Sequence, residues 1–508
     1  MEDGSGGMTF AHALWRNVRE RPEAIALVAG EEELTYADVG SRAAGLIARM
    51  EAAGVRRGDR IGLVAPNRLD AVLVMVAAAL AGITVAPVNW RLPVPAAAEF
   101  LRGLDPAAVF CAGAHRAVGE ALTGAIVVDL DEDPGWDGGG ASGTGALDPH
   151  AVSGSDPLAI MSTSGSTGPP KGVVISQSAM VARALVLHAE LGIDASDAFI
   201  GWAPLFHISA SDYLFASLIL GGSFVVHRGF DAEAVAAELL ARDVGWLFLI
   251  PGLIPELLAA LGERRPRRVK YAGAMADLVA PAQLREVQER LNAPYLNTFG
   301  STEAGLVPGV GPVTWEDGVP ILEKRVTLFC QHRIIDDRGA DAEPGASGEL
   351  WLRGPTLFSG YWEGGRLSRA AFRDGWFPTG DLVRAPRAES LEFVERRGRM
   401  FKCGGENVYP ATVERALLAH PAVGEAAVVP VPHPRFQQVA AAYVALDAGI
   451  EPVALLAECS SGLAAYERPF AVHVLEREQF PRGVTGKVEH ARLAAAHDRC
   501  GPRCWGKD

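Results

Sequence analysis

Eleven residues without a large apolar side chain, Ser162 to Gly172, lie between two apolar runs, Leu158 to Met161 and Val173-Val174-Ile175. They read Ser-Thr-Ser-Gly-Ser-Thr-Gly-Pro-Pro-Lys-Gly. The pattern predicts a loop carried between two strands. Glycines let backbone N–H groups approach an anion closely, and the hydroxyls and Lys171 add donors, so the loop suits a phosphate group. It is not a Walker A loop, because Gly172 follows Lys171 and no Gly-Lys-Ser/Thr is present. A flexible Ser/Gly linker with one exposed lysine would share this composition.

A chain of 508 residues exceeds one hydrophobic core, which predicts two or more domains. Its net charge of −14 argues against a nucleic-acid partner, so a phosphate ligand must be held by local donors. Six cysteines (Cys111, Cys330, Cys403, Cys459, Cys500, Cys504) are scattered, with no secretory signal ahead of them. Free thiols in a reducing cytoplasm are expected. Cys500 and Cys504, with His490 and His497 upstream, suggest a metal site or simply a polar tail. The longest apolar stretch, Ala71 to Val88, is interrupted by Gly82, Thr84 and Pro87. It predicts a buried helix and a strand rather than a membrane span.

Along the first 130 residues helical and strand patterns alternate. Thr35-Tyr36-Ala37-Asp38 opens a helix to about Ala53, stopped by Gly54; strands are expected at Ile61 to Ala65 and Val85 to Val88, with a helix over 70–81 between them. This order predicts a parallel sheet with helical crossovers. After an irregular connection over 131–156 the alternation resumes. Pro204-Leu205-Phe206-His207 is expected to end a strand, Asp212 to Leu220 to form a helix, and Ser223 to Val226, Leu247 to Ile250 and Val269 to Ala272 to form strands. Val269 to Ala272 leads into Gly273-Ala274-Met275, and Tyr295-Leu296-Asn297 into Phe299-Gly300-Ser301-Thr302-Glu303. The carboxyl ends of parallel strands are where α/β proteins bind ligands. From about 325 to 385 short strands such as Gly348 to Gly354 suggest a barrel-like subdomain. A separate piece follows, with a helix at Ala411 to Ala419, strands at Ala426 to Val431 and Ala440 to Leu446, and a helix near 452–465.

The order and spacing of these turns resemble the adenylate-forming superfamily of acyl-CoA synthetases and aryl-CoA ligases. The resemblance runs over about residues 10–495. It rests on Thr163 to Gly172, Pro204 to His207, Phe299 to Glu303, Gly375 to Asp381, Arg396 to Glu406 and Gly486-Lys487. It implies a large α/β N-terminal domain, residues 8–397, made of two αβ subdomains plus a small distorted β-barrel. A small mobile α+β C-terminal domain, residues 398–508, would carry Lys487. The resemblance implies ATP, Mg²⁺ and coenzyme A as cofactors. Thr163, Ser164, Gly165, Ser166, Thr167, Gly168 and Lys171 would hold the phosphates. Gly273 and Ala274 would lie flat against adenine, and Phe299, with Gly300 and Ser301 beside it, would offer the base a π-face. Asp381 would accept the ribose hydroxyls, with Arg396 nearby. Glu303, with Thr167, would hold Mg²⁺, and Thr302 would meet the α-phosphate. Lys487 would neutralise carboxylate and α-phosphate as they meet. His207, Ile208, Gly252, Met275 and Leu306 would line the acyl pocket, His207 being either a gate to it or a packed histidine. Gly404 and Gly405 would line a pantetheine tunnel, and Gly398 would be the hinge.

Four departures from the family pattern stand out. Gly398 replaces the usual Asp or Lys at the hinge, Met275 replaces a common Pro, and Gly252 replaces a common hydroxyl residue. Between Leu306 and Ile335 the usual Gly/Pro-rich pattern is lost. A bulky, largely apolar carboxylic acid is expected as substrate. No Asp follows Phe206, which argues against a free α-amino acid. Other readings are an enzyme that mainly thioesterifies a preformed acyl-AMP, a ligase that loads a carrier protein, and a non-catalytic module that kept the fold. The expected partners are small molecules, in a monomer or homodimer without nucleic acid or membrane span.

Overall fold

The computed structural model describes residues 8–137, 148–162, 171–387, 390–459, 463–483 and 487–500. The helix Leu69–Leu80 buries every residue from Ala71 to Leu80, and Ile208–Leu220 buries Ile208 to Ile219. Helices apolar on all sides have no face to give to water, so they form the interior around which the two large sheets are laid. Amphipathic helices cover them: Tyr36–Ala52 packs on Leu69–Leu80, and Phe10–Glu20 on Ile208–Leu220. Thr35 caps Tyr36–Ala52 in a reciprocal box with Asp38, and Gly54 takes φ +95° just past its end. Among the described residues no helix is long and apolar enough to cross a membrane.

One sheet has eight strands in the order 366–368, 360–363, 172–176, 157–162, 84–87, 60–64, 108–111 and 126–129. The five strands from Pro157–Ser162 to Ile126–Asp129 are parallel, and the other three run antiparallel. The expected parallel arrangement thus holds for the strands 60–64, 84–87, 108–111 and 126–129, and antiparallel strands extend the sheet on one side. Pro157–Ser162 turns back on itself through the Ser/Gly-rich loop, with Ser162 opposite Gly172. The second sheet orders 268–272, 243–247, 198–201, 223–226, 25–29 and 32–35, parallel except for its last pair. The expected strand Leu247 to Ile250 lies instead at Asp243–Leu247, and Ile250 leads into the short helix Pro251–Leu253. The helix expected from Asp212 begins four residues earlier, at Ile208, because the His207 side chain accepts the Ser209 N–H and caps it.

The expected barrel-like subdomain is a seven-stranded antiparallel sheet. It starts earlier than expected, since Leu296–Ser301 and Gly305–Pro312 are its first two strands. The C-terminal piece forms its own core around the long antiparallel pair Val423–His433 and Gln437–Leu446. Pro410–Leu418 packs on that pair, and Ala471–Val474 adds a parallel strand. The expected helix near 452–465 is shorter, Pro452–Cys459, and a last helix, His490–Cys500, closes the fold.

Asn67, buried just ahead of Leu69–Leu80, joins the two large sheets. Its amide donates to the Gly201 and Ala203 carbonyls at 3.1 and 2.7 Å and accepts the Leu205 N–H at 2.9 Å. Asn67→Ala leaves those groups unpaired in the interior. A cost of about 2 kcal/mol is expected, seen as an earlier denaturant midpoint for the N-terminal transition.

Candidate active site

A cavity of about 350 Å³ is walled by the N-terminal sheets on one side and the C-terminal piece on the other. Met275 follows the strand Arg268–Ala272, Phe299 and Gly300 stand near the end of Leu296–Ser301, Asp381 lies within Phe377–Arg384, Arg396 ends Ser390–Arg396, and the C-terminal segment supplies Lys487. Asp381 and Arg396 face each other across paired strands, with Arg396 Nε 3.7 Å from Asp381 Oδ1. Asp381 is buried, and its pKa is pushed up to about 6. Desolvation is the largest cause; Arg396 and Lys487 oppose it, and the charges of Glu303 and Glu395 add to it. Lys487 is open to water in the cleft yet ringed by protein. That surrounding lowers its pKa, the Arg396 charge acts the same way, and Asp381 opposes. The Lys487 carbonyl accepts the Gly483 N–H at 2.8 Å, which folds the segment back on itself.

Thr302 and Glu303 form the turn between the first two strands of the antiparallel sheet. The Glu303 carboxylate accepts the Tyr361 hydroxyl at 2.9 Å. Lys171 sits 4.9 Å over the Tyr361 ring and 3.9 Å from Glu363. The turn's backbone is held from beneath by Arg183, which donates to the carbonyls of Thr302 at 3.1 Å, Glu303 at 3.4 Å and Thr356 at 2.9 Å. Nη1 of the same guanidinium donates to both carboxylate oxygens of Asp212 at 3.2 Å, the two side chains being 4% and 2% exposed. Thr163, Ser164, Gly165, Ser166, Thr167 and Gly168 lie outside the described residues; their flanks, Ser162 and Lys171, are described.

Gly273 is imposed by the protein as well as by any ligand. It has φ +81°, and a Cβ there would lie 2.1 Å from the Tyr295 ring. Ala274 beside it is buried, its carbonyl accepting the Tyr295 hydroxyl at 3.3 Å. Met275 holds φ +53° and ψ +57°, a left-handed conformation that costs a non-glycine residue about 1–2 kcal/mol. His207 Nδ1 is engaged by the Ser209 hydroxyl at 2.7 Å. Burial, with the Lys487 charge, pulls its pKa down to about 3, so the ring is neutral.

Three expectations change here. Gly252 was expected to leave room in the acyl pocket, but the space beside it is taken by Arg482, whose Nη1 would lie 3.1 Å from a Cβ. Gly404 and Gly405 were expected to be glycine because a tunnel is narrow. They form the two-residue turn of the hairpin Phe401–Cys403 and Glu406–Val408, both at positive φ, with nothing within 4 Å of a Cβ at Gly405. The five acyl-pocket residues are spread apart: Gly252 and Met275 line the large cavity, Leu306 lines a pocket of about 10 Å³ beside Arg183 and Asp212, Ile208 is packed in its helix, and His207 caps that helix. Gly398 stands exposed with open space around it.

Sequence reasoning missed Arg183, Asp212 and Tyr361, and the buried ion pair of Lys324 with Asp277 at 2.8 Å on the cavity wall. The signal for the first pair was present. Asp212 is the one charged residue of Ile208–Leu220, and a lone charge in an apolar helix requires a partner.

Among the described residues no cluster of three His, Cys, Asp or Glu side chains could hold a metal by itself. A single carboxylate, Glu303, with substrate phosphate oxygens is a donor set that suits Mg²⁺.

Residues 14–362 match the family model described as AMP-binding enzyme, and residues 412–487 match that of the AMP-binding enzyme C-terminal domain. The chain is 28% identical to a 2-succinylbenzoate–CoA ligase of Bacillus licheniformis over 96% of this chain and 100% of the relative. It is 29% identical to a feruloyl-CoA synthase of an Amycolatopsis species, over 93% and 96%. Among solved structures it is similar to the o-succinylbenzoate CoA synthetase of Bacillus subtilis in complex with its acyl-adenylate intermediate. The TM-score is 0.82 at 25% identity, over 98% and 99% of the two chains.

Arg183→Met strands the Asp212 carboxylate in the interior and frees the carbonyls beneath Glu303. A loss of about 3–5 kcal/mol is expected, measured as a fall in the thermal midpoint relative to wild type.

Proposed function

The chain belongs to the AMP-binding enzyme family and is an acid–thiol ligase; we propose that it activates a bulky, largely apolar carboxylic acid with ATP and passes the acyl group to coenzyme A. The observation that carries this reading is the meeting of Lys487 with Asp381, Arg396 and Phe299 on one cavity. Asp381 accepts the ribose hydroxyls, and Phe299 stacks on the base. Arg396 and Lys487 bring positive charge to the α-phosphate, where the acid's carboxylate oxygen attacks phosphorus and the bond to pyrophosphate breaks. A thiol sulfur then attacks the acyl carbon, and the bond to AMP breaks. Glu303 would hold Mg²⁺, which supplies Lewis-acid charge on the phosphate oxygens. The Tyr361 hydroxyl and the Arg183-held backbone keep that carboxylate oriented. The loop 163–168 and Lys171 hold the remaining phosphates, and Lys171 must leave Glu363 to do so. The domain boundary is set between 397 and 398, with Gly398 as the hinge. ATP, coenzyme A and free thiols suit a cytoplasmic setting.

The nature of the acid is supported by the apolar side chains of Ile250 and Met275 on the cavity wall. The neutral His207 after Phe206 offers no carboxylate to an ammonium. Relatives that carry the names of 2-succinylbenzoate and ferulate point to an aryl-bearing acid. With ATP and no coenzyme A, pyrophosphate release is expected with ferulate or 2-succinylbenzoate, and a preference for an amino acid over both overturns the acid assignment. Lys487→Ala is expected to slow this step about 10²–10³-fold.

Because burial raises the Asp381 pKa, its charge costs stability above about 6 and that cost disappears below it. Nucleotide binding has the opposite sense, since the carboxylate accepts the ribose hydroxyls best when ionised. AMP binding is expected to tighten as pH rises through about 6. Titration calorimetry of wild type and Asp381→Asn checks this, the variant losing the dependence.

A further inference from the structure

Gly398 has no side chain to stop a rotation, and among the described residues, its chain neighbours aside, nothing lies within 4 Å of where a Cβ would be. The residues around it supply a different stop. Glu395, two residues before the end of the N-terminal part, is 0% exposed. Its Oε2 accepts the Ala411 N–H at 2.8 Å at the start of helix Pro410–Leu418, and its Oε1 accepts its neighbour Arg396 N–H at 2.7 Å. Arg399, the first residue after Gly398, reaches back to Glu395 Oε1 with Nη1 at 3.6 Å and forward to Glu414 Oε1 with Nη2 at 2.7 Å. Glu414 is 1% exposed and also receives the Val428 N–H at 2.9 Å. Its Oε1 lies 3.2 Å from Nε2 of His490, three residues past Lys487. Arg415 adds a bond from the same helix to the Phe393 carbonyl at 3.0 Å.

We propose that Arg399 is a positioning residue: with Glu395 and Glu414 it forms a latch across Gly398 that holds the C-terminal domain where Lys487 meets Asp381, and the latch opens before thiol transfer. The inference rests on the acid–thiol ligase reading above. Every bond from Glu395 to Ala411 and Arg399, and from Arg415 to Phe393, joins the two sides of Gly398, so a rotation there breaks them together. The link from Arg399 through Glu414 to His490 ties the hinge to the segment that carries Lys487. The guanidinium fork compensates two carboxylates that would otherwise repel in a dry spot. Such a buried ionic cluster has exacting geometry and little net stability, because desolvation nearly cancels attraction. Those properties suit a contact that specifies one orientation and still breaks in each turnover. Glu395, Arg399, Glu414 and His490 all line the large cavity, and Glu414 Oε2 has no hydrogen-bond partner among the described residues, so the cluster borders the candidate nucleotide site.

The test separates the half-reactions. Pyrophosphate release is followed with ATP and ferulate or 2-succinylbenzoate, and transfer is followed from synthetic feruloyl-AMP to coenzyme A. Arg399→Gln is expected to slow the first about tenfold while leaving the second unchanged or faster. Glu395→Gln, which keeps the shape and the acceptor for Ala411, gives a smaller split in the same direction, and Arg399→Lys restores part of it. Equal loss in both steps, or no loss in either, overturns the latch. A wild type that releases no pyrophosphate with any acid overturns the ligase reading instead. The latch is then decided by hydrogen exchange of the Ala411 amide in the AMP-bound protein. Faster exchange in Arg399→Gln than in wild type supports it, and equal protection overturns it.

Discussion

One buried guanidinium carries the junction between the two halves of the N-terminal region. Arg183 and Asp212 belong to adjacent helices of the α/β layers, yet two of the arginine's hydrogen bonds go to carbonyls of the Thr302-Glu303 turn at the edge of the antiparallel sheet and a third to Thr356, which connects that sheet to the eight-stranded one. A loop tip such as Thr302-Glu303 would ordinarily be mobile, because its backbone groups can turn to water. Here those carbonyls are committed inward to a fixed charge. The carboxylate above them inherits that rigidity, and the Tyr361 hydroxyl completes it from the other side. The arrangement is one of preorganisation: in the role proposed for it, the Glu303 carboxylate would meet a hard cation with its freedom already given up.

The same economy of cause recurs at the glycines. Gly273 would serve a flat ligand, but Tyr295 already forbids any side chain there. Gly404 and Gly405 satisfy a tight hairpin whose backbone requires positive φ at both positions. Residues with an evident binding rationale thus carry a folding rationale too. Met275 is the counterexample, a bulky residue held left-handed on the cavity wall without any fold-level need visible around it.

Much of this was legible in the chain. Apolar runs, caps such as Thr35 with Asp38, and the turn at Ser162 to Gly172 placed most strands and helices within a residue or two. Motif order brought Phe299, Asp381, Arg396 and Lys487 together before any coordinate did. What was not legible depends on distance in space. Arg482 fills the room beside Gly252 from 230 positions away in sequence, and no local pattern announces it. Strand direction at the sheet ends was not legible, since a hairpin and a crossover share the same apolar run. The early start of Ile208–Leu220 escaped because histidine is a weak cap signal, and the Lys324–Asp277 pair because its members sit in unrelated segments.

Strand Gly360–Glu363 is second from one edge of the eight-stranded sheet. It pairs with Gly172–Ser176, Tyr361 lying opposite Val173, so it is zipped to the far side of the Ser/Gly-rich loop. The same strand supplies the ring beneath Lys171 and the hydroxyl on Glu303. Lys171 and Glu303, the two groups proposed to act on one polyphosphate, therefore share a single mechanical support. Their spacing is a property of one β-ladder rather than of two independent loops, and a change at position 361 would be felt at both ends of the nucleotide's charge at once.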